Sequence, residues 1–294
     1  MAPEGRDAPR AWLVDKPAGP TSHDIVAQIR RTLPRKTKVG HAGTLDPFAT
    51  GLLVVLAGRA TRLARLLSDR PKRYRATVRL GWRSETGDPE GPITPGGPVP
   101  PMDEIARVVA GMAGEQLQRV PAHAAVKVDG ERLYAKARRG EAVDRPERPI
   151  VVYDLRLAGL DRDPGDIVID THVSKGTYVR QLAADIGEAL GCGGYCLELR
   201  RTGVGDLSVE DAVPPGAVDP AGGIPLLELL AHMPVHRLSA AELEDVAHGR
   251  AVPGDGDGEV VLAHGDEVAA IARARDGLLR PAIVLRDPAG TAAG

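Results

Sequence analysis

The chain has 294 residues, 43 % hydrophobic and 27 % charged, with a formal net charge of −2; this suffices for a sizeable core, in one large domain or a large plus a small one. Near-balanced charge excludes a global pull toward nucleic acid, so any RNA binding has to rest on local clusters. No stretch approaches the roughly 20 uncharged apolar residues of a membrane helix, and Cys192, Cys196 and the eight histidines lack metal-ligand spacing, so we expect a soluble cytoplasmic protein with idle thiols and no bound metal.

AWLVDKPAG reads as a short strand ended by Pro17 and Gly19. Thr21, Ser22 and Asp24 then offer caps to an amphipathic helix through HDIVAQIRRTL, closed by Pro34. RKTKVGHAGTLDPFATG, rich in Gly and Thr and without an apolar period, is expected as one unusually long loop. LLVVLAG at 52–58 has the character of a strand covered on both faces. A helix over ATRLARLLSD would turn Leu63, Leu66 and Leu67 inward and group Arg59, Arg62 and Arg65 outside. KRYRATVRLGW alternates, with Tyr74, Ala76, Val78 and Leu80 on one face and Arg73, Arg75, Thr77 and Arg79 on the other.

GDPEGPITPGGPVPP is expected as loop and MDEIARVVAGM as helix. The basic stretch from Arg119 to Arg148 reads as a surface excursion with a short helix near Leu133 to Arg138. Strands follow at PIVVYDLRLAGL and DIVIDTHV, then a helix in TYVRQLAADIGEALG with the stripe Val179, Leu182, Ala183, Ile186 and Leu190. Composition breaks at PPGAVDPAGGIP, and a second joint falls at Met233-Pro234 after the helix LLELLAH. Beyond it lie a capped helix, LSAAELEDVAHGRAVP, and strands at EVVLAHGD, EVAAIARARDG and LLRPAIVLRD. We therefore expect a catalytic domain over 1–232 and a small β-rich domain over 233–294.

Charge is distributed unevenly. Arg59, Arg62, Arg65, Arg70, Lys72, Arg73, Arg75, Arg79 and Arg83 are met only by Asp69, whereas the C-terminal stretch is acidic. Asp46-Pro47 stands in the long loop just before a buried strand, and proline pushes the residue before it toward extended backbone, displaying that carboxylate from irregular chain. On local pattern alone Asp46 is equally a turn-forming Asp, Tyr74 the first inward residue of a strand, Lys16 a turn lysine and the arginine row a solvated face. A cation in a helix first turn, as Arg180 would be, is opposed by the helix dipole and calls for a partner carboxylate.

The string GHAGTLDPFATG meets every fixed position of G-H-x-G-x-L-D-P-x-A-x-G from Gly40 to Gly51, and resembles the signature loop of the TruB family of pseudouridine synthases. Further matches follow in chain order: LVDKPAGPTSHD around Lys16-Pro17, KRYRATVRLG, SKGTYVRQLAADIGEALG and ELRRTGVG. The resemblance covers about residues 11 to 210 strongly. It implies an α+β fold, a mixed, mainly antiparallel sheet flanked by helices, with a PUA-like C-terminal domain. It implies Asp46 as catalytic carboxylate, Tyr74 and Arg180 as its catalytic companions, and His41, Tyr178 and Leu199 at the substrate. Lys16, Arg59, Arg62 and Lys127 are expected to contact RNA, the last within an RNA-gripping insertion at 119–148. There PAHAAVKV departs from the family's P-x-Y-S-A-x-K by placing His123 and Ala124 where Tyr and Ser are usual.

The implied reaction isomerises uridine 55 in the T loop of tRNA, on a monomer needing neither cofactor nor obligatory protein partner. A nucleophile, a base for the C5 proton and a closed pocket suffice. Arg180 is expected to pair with Asp46 and lower its pKa, Tyr74 to stack on the extruded base, and the Arg59–Arg83 run to hold T-arm phosphates. Rival readings are a guide-RNA-dependent, dyskerin-like synthase, a tRNA-folding chaperone, and a generic RNA-binding protein.

Overall fold

β1 (Arg10–Lys16) pairs antiparallel along its whole length with β3 (Thr50–Ala57). In the computed structural model, which describes residues 7–121, 127–128, 131–132, 145–160 and 165–286, β3 is covered on both faces. Leu53, Val55 and Ala57 enter one apolar core and Leu52, Val54 and Leu56 another, which is why its sequence is an unbroken apolar run. α1 (Ser22–Thr32) starts on a capping box made by Thr21 and Asp24 and ends at Leu33, ahead of Pro34. β2 (Val39–His41) adds to β3, so the segment expected as one loop holds a strand near its start and contributes Thr50 and Gly51 to β3.

The single helix expected at 60–69 is instead a 3₁₀ turn, Gly58–Leu63, followed by α2 (Ala64–Ser68). Residues three apart eclipse in a 3₁₀ turn, so Arg59 and Arg62 share a face. β4 (Lys72–Leu80) is central; Ala76, Val78 and Leu80 are buried while Arg73 and Arg75 are exposed, as alternation requires. The Pro/Gly-rich segment expected as loop contains a hairpin, β5 (Trp82–Ser84) with β6 (Ile93–Pro95). α3 (Met102–Gly111) and β7 (Gly114–Arg119) follow, then the two-residue ladder of β8 (Lys127–Val128) and β9 (Glu131–Arg132). The helix expected around Leu133–Arg138 lies outside the described residues.

β10 (Glu147–Leu160) and β11 (Asp166–Val173) form a long antiparallel pair and lead to α4 (Val179–Ala189). β12 (Gly194–Val204) is a central strand in a segment for which no element was expected. It lies antiparallel to β4 and parallel to β3, and carries the short β13 (Leu207–Ser208). The order is β1-β3-β12-β4-β11-β10-β7, with β2 on β3. After α5 (Leu226–Leu229) come β14 (Val235–Arg237), α6 (Ala240–Ala247), β15 (Val252–Pro253), β16 (Gly258–His264), β17 (Glu267–Arg275) and β18 (Leu278–Val284). These strands form a second sheet in the order β14-β16-β17-β18-β15. The architecture is thus α+β with a mainly antiparallel sheet and a β-rich C-terminal unit.

α1, α3 and α4 bury Ile25, Ile105, Ile186 and their neighbours against one side of the large sheet. On the other side, Leu52, Val54 and Leu56 share a core with Val261, Ile271 and Leu285 of the C-terminal sheet. Burial of this area, at about 25 cal/mol per Å² of apolar surface, fixes the two sheets together.

Candidate active site

A cleft of about 340 Å³ opens beside the loop that carries Asp46. Three side chains from three elements hold that loop from behind. Lys16, 0 % exposed at the end of β1, donates to the carbonyls of Pro17 (2.9 Å), Pro47 (3.1 Å) and Ala49 (2.7 Å). Ser22, at the start of α1, exchanges hydrogen bonds with the backbone of Leu45, both 2.9 Å. Arg201, 1 % exposed on β12, donates Nε to Leu52 O (2.7 Å), Nη1 to Thr44 O (3.2 Å) and Nη2 to Gly43 O (3.0 Å). These bonds satisfy carbonyls that irregular backbone would otherwise bury without partners. Gly51 allows β3 and β12 to meet: its φ is +101°, and a Cβ there would lie 2.3 Å from Arg201 O.

The catalytic trio expected from the sequence comes together. Asp46, Tyr74 and Arg180 all line the cleft, with Tyr178 and Leu199. Arg180 sits in the first turn of α4 with its side chain 5 % exposed. Its Nε lies 3.0 Å from Asp46 Oδ2, at an angle too bent for a hydrogen bond, and its Nη2 donates to Asp46 Oδ1 at 3.5 Å. Its Nη1 donates to Asp88 Oδ2 at 2.6 Å and to Thr86 O at 3.0 Å. The dipole's opposition to a cation at a helix start is therefore met by two carboxylates.

Asp88 falls in the Pro/Gly-rich segment expected as loop. It is 3 % exposed, accepts from the Thr86 hydroxyl (2.6 Å) and the Glu90 N–H (3.1 Å), and fixes the outer side of the Arg180 guanidinium. The G-D-P-E-G turn chemistry was the available signal, but nothing in it pointed to a residue 92 positions away.

Electrostatics correct one expectation. Asp46 is pushed above the usual carboxylate range, not below it: burial dominates, the Asp88 charge adds to it, and Arg180 and Lys16 only oppose it. A guanidinium shared with Asp88 does not fully offset the burial of Asp46. Glu90 is also raised, by burial and then by Asp88 and Asp46. Burial raises the Tyr178 phenol; this ring lies 5.4 Å from the Arg148 guanidinium and is set by reciprocal bonds between its backbone and the Gln118 amide (2.8 and 3.1 Å).

The remaining predicted contacts divide. Leu199 lines the cleft at 7 % exposure. His41 is not among the lining residues; its ring meets His23 edge-on at 5.7 Å, its buried Nδ1 has no hydrogen-bond partner, and burial with nearby His23 and Arg201 drops it to about 4, so it is neutral at pH 7. Lys16 is corrected: all three of its ammonium protons face carbonyls, which assigns it to the loop rather than to RNA. Arg59 and Arg62 are likewise turned to the C-terminal unit, donating to Arg286 O (3.0 Å) and Val284 O (2.8 Å). Lys127 belongs to β8, and its side chain lies outside the described residues. Among the described residues no group of three His, Cys, Asp or Glu could hold a metal.

Arg75 and Arg79 on the basic outer side of β4, and Arg70 just before it, are also compensated. Arg75 pairs in two-pronged fashion with Asp170 (2.8 and 2.7 Å), Arg79 with Asp166 (2.8 and 2.7 Å), and Arg70 with Asp206 (2.9 Å). Local sequence hides these partners because Asp170 and Asp166 lie on the neighbouring strand β11 and Asp206 136 residues along the chain.

Residues 30–179 match the model of the TruB family pseudouridylate synthase N-terminal domain, and residues 180–217 that of the tRNA pseudouridylate synthase B C-terminal domain. The chain is 44 % identical over 288 residues to tRNA pseudouridine synthase B of Thermobifida fusca (strain YX), covering 92 % of this chain and 97 % of that protein. It is 44 % identical over 270 residues to the protein of the same name from Synechococcus sp. (strain WH7803), covering 86 % and 89 %. Among solved structures, the fold resembles a chain of a Cbf5-Nop10-Gar1 complex with TM-score 0.72 and 26 % identity, covering 95 % of this chain and 86 % of that one.

Proposed function

Because this chain belongs to the TruB family of pseudouridylate synthases, we propose that it isomerises uridine 55 in the T loop of tRNA, with Asp46 as the nucleophile. The relatives at 44 % identity are named for pseudouridine formation in tRNA, whereas the Cbf5 chain from a multiprotein complex is 26 % identical; this favours tRNA over a guided substrate, and a monomer that needs no partner. The observation carrying the reading is the Asp46–Arg180–Asp88 chain beside Tyr74 in one cleft. A generic RNA-binding surface has no need of a carboxylate there.

Isomerisation breaks the C1'–N1 bond, turns the uracil and forms C1'–C5, with a proton lost from C5 and one gained at N1. Asp46 attacks C1' or C6, and either route begins from the ionised carboxylate. Arg180 aims that carboxylate and holds its charge, while Asp88 keeps Arg180 from swinging into the cleft. Tyr74, in the cleft lining, stacks on the extruded base, worth about 1–3 kcal/mol against the few spent on unstacking, and passes the C5 proton onward, directly or through water. The walls of Leu199 and Tyr178 keep the detached uracil from water.

Single-turnover tritium release from C5-labelled uridine in a T-arm hairpin tests this. The parent protein releases tritium; Asp46→Asn at equal, saturating concentration releases none while binding RNA with the same affinity. Because a raised Asp46 pKa withdraws the nucleophile by protonation, the parent rate falls as pH drops through a value above that of an ordinary aspartate. No release by the parent despite tight binding would instead favour the RNA-folding reading.

A further inference from the structure

A cation buried without a carboxylate is costly, since water has been removed and no counter-charge replaces it. Lys16 behind the cleft, and Lys72 and Arg201 in its lining, are such cations, at 0 %, 7 % and 1 % exposure. Each is held by backbone carbonyls, and among the described residues none forms an ion pair. Lys16 has every proton engaged and Arg201 is turned into the Asp46 loop, so both are explained by the backbone they support.

Lys72 is different. Its ammonium donates to Ser68 O and to Arg70 O (2.6 Å), which leaves one proton unassigned. It lines the same cleft as Tyr74 and Asp46, and two residues before Tyr74 on β4 it leaves the sheet on the same face. Its charged neighbours are Asp69 and Arg70 after α2, Arg201 on β12 and Lys175 ahead of α4. Asp69, the one carboxylate among them, pairs with Lys175 at 3.0 Å. Burial and the three cations together bring Lys72 down to about 8. No carboxylate bonds the Lys72 ammonium, since Asp69 is taken by Lys175, and a neutral uracil or ribose oxygen would leave the charge uncompensated.

We propose that Lys72 donates its remaining N–H, as a charged hydrogen bond, to a phosphodiester oxygen of the RNA next to the target uridine, positioning the extruded nucleotide over Asp46. This rests on the uridine-isomerising reading above. It differs from diffuse gripping of the T arm, because one buried ammonium inside the cleft addresses one linkage.

The test is a thermodynamic cycle. A T-arm hairpin is prepared with natural linkages and with a neutral methylphosphonate at the linkage on either side of the target uridine. Binding and single-turnover tritium release are then measured for the parent, Lys72→Met and Lys72→Arg, with melting temperature as the control for folding. Lys72→Met is expected to weaken binding of natural RNA about tenfold, as for loss of one charged hydrogen bond. One methylphosphonate weakens the parent by a similar factor and leaves Lys72→Met unchanged. Parent affinity declines as pH rises through about 8, whereas Lys72→Arg, which keeps its charge, shows no such decline. Equal methylphosphonate losses in parent and Lys72→Met at both linkages, or unaltered binding by a folded Lys72→Met, would overturn the proposal. A parent that binds but releases no tritium removes the isomerase reading alone; the binding cycle still decides the role of Lys72.

Discussion

At the residue scale, the site depends on where buried charges find partners. Asp46 and Arg180 were legible because each stands in a motif. Asp88 was not, since its pairing with Arg180 exists only after α4 and the β5–β6 hairpin have packed. Lys16 shows the opposite error, a motif residue whose position suggested substrate and whose contacts are all with its own chain. The measurement that separates the two roles is Lys16→Met. Three carbonyls, that of Ala49 in a buried bond, lose their donor, so stability should fall by about 1–3 kcal/mol in urea melts, while the folded fraction keeps its RNA affinity. A loss of affinity with unchanged stability would return Lys16 to the substrate.

At the element scale, the Asp46 loop is a brace between strands rather than a free excursion. β3 and β12 run parallel for the pairs Arg200 with Thr50 and Arg201 with Gly51, and the loop hangs from that junction. Gly51→Ala combines a left-handed φ with a Cβ driven into the Arg201 backbone. We expect a cost of at least about 3 kcal/mol, and lost activity even where the variant folds, because Arg201 also holds Gly43 and Thr44. Thermal melts beside single-turnover rates check this; an undisturbed melt would show that the junction can yield. The helix α1 and strands β3, β4, β10 and β11 were readable from period and caps. β12 was missed because its residues alternate imperfectly across two register shifts, and the helix at 60–69 was overcalled because its leucine stripe suits a 3₁₀ turn running into α2 as well as one α-helix.

At the scale of the whole molecule, the C-terminal sheet completes the core of the large one. It covers Leu52, Val54 and Leu56, and Arg59 and Arg62 fasten its last strand from across the joint. A chain ending at residue 234 should therefore expose that apolar face and associate or precipitate, as size-exclusion chromatography would show; a stable, active monomer would mean that the covering sheet is dispensable. The sequence by itself determined the family, the display of Asp46 and the amphipathic elements, because those reside in contiguous pattern. Only the tertiary structure decided which cations serve the backbone, which keep an N–H unassigned in the cleft, and that Asp46 is raised rather than lowered. Those outcomes depend on burial and on partners as much as 227 residues apart, and neither quantity is present in any local stretch of chain.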